Sequence, residues 1–160
     1  MLVNNAGVYV AKRWDSITES DWGRQFDMNA KSAYFVALKF LKIWQENNIK
    51  DNMVFGGSDR AYQGDITPYR MTKAAVGNFI KGLAKEAIQY GIRVNGVAPG
   101  MTASEIKHVD PSGNIRADFT RGKRVILAEE IAEVVGFLIS NTSKCIVGDM
   151  ILCDEGEFIK

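Results

Sequence analysis

The chain has 160 residues, 46% of them hydrophobic and 24% charged, and its twenty basic and nineteen acidic side chains leave a formal net charge of +1. This suits one globular domain with a core of its own, and it excludes the basic footprint of a nucleic-acid binder or of a membrane-facing surface. Two cysteines, Cys145 and Cys153, and one histidine, His108, offer neither a disulfide framework nor a metal cluster. No stretch reads as a membrane span or a signal peptide, so a cytoplasmic protein without a metal is expected.

In chain order, MLVNNAG (1–7) is a short apolar strand that turns at once into Asn-Asn-Ala-Gly. A helical pattern covers 29–47, with Asn29 at the junction of two helical stretches, where capping is its plain structural role. Residues 33–38 are consecutively apolar and are followed by Phe40, Leu41, Ile43 and Trp44. One sheet-facing stripe cannot use them all, so the surplus predicts a face that docks on another subunit. NMVFGG (52–57) reads as a second strand, 69–90 as a long helix stopped by Gly91, and IRVNGVAPG (92–100) as a third strand. The segment 102–126 has no clean period and is too long for an ordinary connection, which predicts a flexible substrate loop. A helix over 128–140 and a strand in DMILCDEG (149–156) close the chain. Strand runs that are apolar throughout, alternating with helices, predict an α/β domain with a parallel sheet covered on both faces.

Several side chains could carry chemistry. Tyr69 and Lys73 lie four apart on one face of the long helix. A fixed positive charge near a phenol favours phenolate, so Lys73 is expected to lower the Tyr69 pKa from about 10 towards the range of an acid/base catalyst. Ser58 follows a strand and a Gly56-Gly57 turn, at the strand end where open α/β sheets bind ligands; its plain role is that of a turn or cap serine.

Taken together, and in the same order along essentially the whole chain, these motifs resemble the short-chain dehydrogenase/reductase family in its compact form. Asn4-Asn5-Ala6-Gly7 looks like the family's NNAG at the end of its fourth strand, and Ser58, Tyr69 and Lys73 resemble its serine and YxxxK pair. Asn29 resembles the helix asparagine that holds a water in the proton relay, and residues 93–100 resemble the sixth strand with its PG turn. Glu130-Ile131-Ala132, with Gly148 and Asp154-Glu155-Gly156, resembles the final helix and last strand. The resemblance implies a Rossmann-like fold and an oxidoreductase that moves hydride between NAD or NADP and a small alcohol or carbonyl compound. Tyr69 would exchange the proton, Ser58 would bind the reacting oxygen, Lys73 would hold the nicotinamide ribose, and Asn29 would support the relay. Asn5, Ala6 and Gly7 would flank the adenosine side of the cofactor, Pro99, Gly100 and Thr102 would pack near the nicotinamide carboxamide, and Ser104 matches the family's cofactor-binding hydroxyl residue just beyond the PG turn. A homodimer or homotetramer through helices 29–47 and 69–90 is implied as well.

The chain also departs from the family pattern. The resemblance covers only its C-terminal two-thirds: the first three strands have no counterpart, and no G-x-G triplet of the phosphate loop occurs in the 160 residues. The strand Met1–Asn5 is therefore expected to be an open sheet edge, and the chain by itself to be poorly active or inactive. A catalytically incomplete fragment or pseudoenzyme that works through helix–helix contacts is the alternative. Ser58 and Tyr69 are eleven positions apart, closer than is usual in the family, and Glu155 stands where a glycine is common.

Overall fold

In a computed structural model, which describes residues 1–103 and 115–158, four strands lie side by side in chain order. They are β1 (Leu2–Asn4), β2 (Asn52–Gly56), β3 (Arg93–Pro99) and β4 (Met150–Cys153), and every neighbouring pair is parallel. Val3 faces Val54 across the first pair, Val54 faces Asn95 across the second, and Val97 faces Ile151 across the third. Among the described residues β1 pairs on one side only, as an edge strand.

The strand sequences are apolar throughout because both faces are covered. Met53, Phe55, Val94 and Ala98 point to one side, into a core completed by the helices α2 (Ser32–Glu46) and α3 (Pro68–Ala87). Val54 and Val97 point to the other, against Leu138, Ile131 and Val135 of α4 (Ala128–Ile139). From α2 the sheet takes Ala33, Ala37, Leu41 and Trp44, a stripe at helical spacing. The long helix has Pro68 in its first turn, where a missing N–H costs nothing, and ends in a tight turn at Ile88–Tyr90 followed by Gly91 at φ +73°.

Three features add to the sequence expectations. A helix, α1 (Glu19–Phe26), precedes the 29–47 pattern. Thr18 caps it: its hydroxyl accepts from the Asp21 amide at 3.2 Å, and its own amide donates to the Asp21 carboxylate at 3.0 Å. A single turn of π-helix at Asp27–Lys31 joins α1 to α2. Finally, the described part of the 102–126 segment carries two isolated bridges, Thr102 to Ile126 and Arg116 to Arg124, over a small cluster of Ala103, Ala117 and Val125. Beyond β4, Glu155 adopts φ +55°, the left-handed region in which a glycine would be unstrained. Its carboxylate is tied to Arg124, which also grips Glu130 with two bonds of 2.7 and 2.8 Å.

Candidate active site

A cleft of about 300 Å³ opens at the carboxyl ends of β1, β2 and β3, beside the start of α4. Three loops and two helices build it, with Ala128 and Ile131 of α4 on one side. Asn5 and Gly7 come from the turn after β1, Gly57 and Ser58 from the turn after β2, and Pro99, Gly100 and Thr102 from the turn after β3; Tyr69 and Lys73 reach in from α3. A crevice outside the carboxyl ends of parallel strands is where open α/β sheets bind ligands, because the backbone ends and helix starts there leave polar groups to be satisfied.

The close packing of the first two turns depends on glycine. A Cβ on Gly56 would lie 2.4 Å from Oδ1 of Asn5, so no larger residue leaves Asn5 where it is. A Cβ on Gly7 would stand 3.5 Å from Oδ1 of Asn29 and 3.6 Å from Nζ of Lys73, which brings these two side chains to the same point behind the β1 turn.

Each expected residue can now be located. Ser58 and Tyr69 line the same cleft despite their short separation in sequence, and the Ser58 hydroxyl favours the phenolate of Tyr69 whenever its single proton is turned towards it. Ser58 also fulfils its plain role, for its Oγ accepts the Arg60 amide at 3.2 Å and caps the turn Asp59–Tyr62. Lys73 is buried and donates to the Gly56 carbonyl at 2.8 Å, with its ammonium 5.8 Å from the centre of the Tyr69 ring. Asn29 lies behind the lining: Oδ1 accepts from the Val8 amide at 2.7 Å, and Nδ2 donates to the Val8 carbonyl at 2.9 Å and to the Thr72 hydroxyl at 3.2 Å. Asn5, Gly7, Pro99, Gly100 and Thr102 line the cleft, whereas Ala6 is exposed and does not. Ser104 lies outside the described residues.

The electrostatics correct one expectation. Burial raises the Tyr69 pKa above its usual value, Ser58 pulls it the other way, and Lys73 is not among the causes. Burial is also what lowers Lys73, to about 8. Desolvation penalises the charged form of both groups, and here it outweighs the attraction that the i, i+4 spacing suggested.

Sequence reasoning missed four nearby contributors. Tyr9 packs edge-on against the Tyr69 ring at 5.1 Å, Asp59 and Arg60 line the cleft next to Ser58, and Ile131 of α4 closes it. The buried carboxyl of Asp59 is held by burial above the usual carboxylate range. The adjacency of Asp59 to Ser58 was the available signal.

A parallel sheet with helices on both faces and a polar cleft along its carboxyl edge defines a Rossmann-like α/β domain. The family model described as enoyl-(acyl carrier protein) reductase matches residues 1–157, and the chain belongs to the short-chain dehydrogenase/reductase family. It is 27% identical to L-rhamnose 1-dehydrogenase (NADP(+)) of Thermoplasma acidophilum, over 99% of this chain and 65% of the relative. Among solved structures, a short-chain dehydrogenase of Leptospira borgpetersenii with bound NAD+ is 27% identical with a TM-score of 0.86, covering 99% of this chain and 64% of that one. A gluconate 5-dehydrogenase of Burkholderia cenocepacia in complex with NADP and tartrate is 26% identical with a TM-score of 0.86, covering 97% and 63%. The chain spans 64% and 65% of the length of two curated relatives that it matches.

Proposed function

We propose that this chain carries the proton-transfer half of a NAD(P)-dependent oxidoreductase acting on a small alcohol or carbonyl compound. One observation carries the reading: Ser58, Tyr69 and Lys73, from two elements, line a single cleft at the carboxyl edge of the sheet. The residues there fit a nicotinamide riboside. Gly7 and Gly56 leave the wall without side chains, Lys73 offers an ammonium for ribose hydroxyls, and the turn at Pro99 and Gly100 supplies backbone groups. Relatives with bound NAD+ and with NADP support the cofactor class. When bound, the nicotinamide would supply or accept the hydride.

The chain's own residues do the rest. Tyr69 gives its phenolic proton to a carbonyl oxygen or takes one from a hydroxyl, and its buried, raised pKa keeps the proton on until a substrate oxygen needs it. Ser58 fixes that oxygen. Lys73, with its pKa lowered to about 8, exchanges protons near neutral pH. Asn29 holds the Val8 backbone that forms the wall behind the cleft.

The phosphate-binding half has no counterpart in these 160 residues, so the chain alone is expected to bind dinucleotide weakly and to turn over negligibly. Saturation-transfer NMR with NADH and NADPH tests the reading. Nicotinamide ring protons receive saturation from the wild-type chain and not from Gly7→Val. No transfer from the wild type overturns the cofactor assignment, and micromolar affinity by calorimetry overturns the weak-binding expectation.

A second reading has its own support. Tyr34, Phe35 and Val36 of α2 are exposed, and an apolar groove of about 420 Å³ runs between Phe26, Tyr34, Val76 and Phe79. A homodimer or homotetramer through α2 and α3 would cover this surface, whether the chain is a catalyst or a non-catalytic fragment that works through those contacts. No helix among the described residues is long and apolar enough to cross a membrane, and two unpaired thiols, Cys145 and Cys153, suit a reducing compartment such as the cytoplasm.

A further inference from the structure

We propose that Asp59 is a positioning residue for Ser58 and Tyr69: its carboxyl group holds the serine hydroxyl and decides whether that hydroxyl donates or accepts in the cleft. The proposal rests on the reading of Tyr69 as the acid/base.

Asp59 is only 3% exposed, and it has no part in the proton transfer as proposed so far. Its Oδ1 accepts from Ser58 Oγ at 3.0 Å, and Nε of Arg60 stands 3.6 Å from the same oxygen. Ser58 Oγ in turn accepts the Arg60 amide at 3.2 Å. A hydroxyl has one proton and two lone pairs. With Asp59 ionised, the serine proton points at the carboxylate and the Arg60 amide occupies one lone pair. What remains for the cleft is an acceptor, which suits a substrate hydroxyl. With Asp59 protonated, its own O–H donates to Ser58, and the serine proton becomes available to a carbonyl oxygen or to the oxygen of Tyr69. The count closes: the carboxyl takes one proton from solvent, and Ser58 keeps one throughout.

Charged and titratable groups reach this carboxyl from every side. Arg60 comes from its own turn, Tyr69 from α3 and Asp154 from beyond β4, and Lys73 lines the same cleft. Arg124, Glu155 and Glu157 line the cavity that adjoins it. Burial and Asp154 favour the protonated carboxyl, whereas Arg60 and Ser58 favour the ionised one, so both forms have support in the fold.

The test follows the Tyr69 phenol by NMR in the 160-residue chain labelled with 13C at tyrosine Cζ, the signal being assigned through Tyr69→Phe. At the alkaline pH where the phenol ionises, Asp59 is a carboxylate. Asp59→Asn removes that negative charge, and the Tyr69 midpoint falls by about one pH unit. Asp59→Glu, which keeps the charge, stays closer to the wild type. Loss of the charge alone would also lower the midpoint, so Asp59→Asn is repeated in Ser58→Ala, where the fall shrinks because no hydroxyl is left to reorient; a fall of the same size there, an unchanged midpoint in the single variant or an upward move overturns the proposal. Ser58→Ala gives an independent measurement if Asp59→Asn does not fold. The midpoint of the Asp59 carboxyl carbon then rises, because the carboxylate has lost its donor, and an unchanged midpoint overturns the proposal. Neither titration needs nicotinamide or substrate, so an absence of turnover would bear on the proposed activity alone.

Discussion

Lys73 is a cation held in the core, and among the described residues its hydrogen-bond partner is the Gly56 carbonyl at 2.8 Å, with no carboxylate. Burial lowers its pKa from 10.5 to about 8, so the folded state loses a proton that the unfolded chain keeps. Because the unfolded state binds more protons across that window, stability rises with pH between about 8 and 10.5. Relative to Lys73→Met, which has no such proton, the wild type should gain about 2 kcal/mol between pH 7.5 and 9.5, measured by urea denaturation at both. Equal pH dependence in the two proteins would show that the ammonium is solvated. The Tyr69–Lys73 pair was legible because four residues make one helical turn, and Ser58 because it follows a strand and two glycines. Their electrostatics were not legible, since the i, i+4 rule describes an exposed helix face, whereas this face is packed under the β1 turn. Asp59 was missed for the opposite reason: a charged residue in a turn reads as solvated, and only the fold buries it.

At the scale of elements, the π turn at Asp27–Lys31 is what gives Asn29 its place. One extra residue in the turn rotates the helix, and the Asn29 carboxamide meets the Val8 backbone as a neighbouring strand would, accepting from its amide and donating to its carbonyl. Such a turn is invisible to a periodicity search, which found helix on both sides of Asn29 but not which way its side chain faces. Asn29→Ala would leave two backbone groups of Val8 without these partners. A loss of about 2 kcal/mol in denaturant unfolding is expected, with a similar loss in Asn29→Asp, which keeps the acceptor but gives up the donor. A loss below a few tenths would mean that water replaces the carboxamide without cost. The helical stretch before Asn29 was read without bounds because α1 carries mostly polar residues and buries only Gln25, although its Thr18-to-Asp21 capping pair stood in the sequence as a readable start signal.

At the scale of the whole molecule, the parallel sheet and its two helical layers were the most legible features. Four runs of apolar residues separated by helices leave few arrangements other than a parallel sheet between two helical layers. The sheet-facing stripe of α2 uses Ala33, Ala37, Leu41 and Trp44, and the surplus noted in the sequence emerges on the outer side, where Phe35 is 61% exposed. That surplus extends to the groove lined by Tyr34, Val76 and Phe79, so α2 and α3 share one apolar surface. A two-fold contact across it would use each residue twice. Burying one phenylalanine is worth about 1.5–3 kcal/mol, and replacing it by glutamate also sets a charge against its own copy, so Phe35→Glu should weaken association by at least about a hundredfold. Light scattering after size-exclusion chromatography is expected to give a dimer or tetramer for the wild type and a monomer for Phe35→Glu. The folded monomer should keep the Tyr69 titration of the wild type, because Phe35 does not line the cleft. A wild-type chain that is monomeric at high micromolar concentration would remove the oligomer, and the exposed face of α2 would then need a different partner.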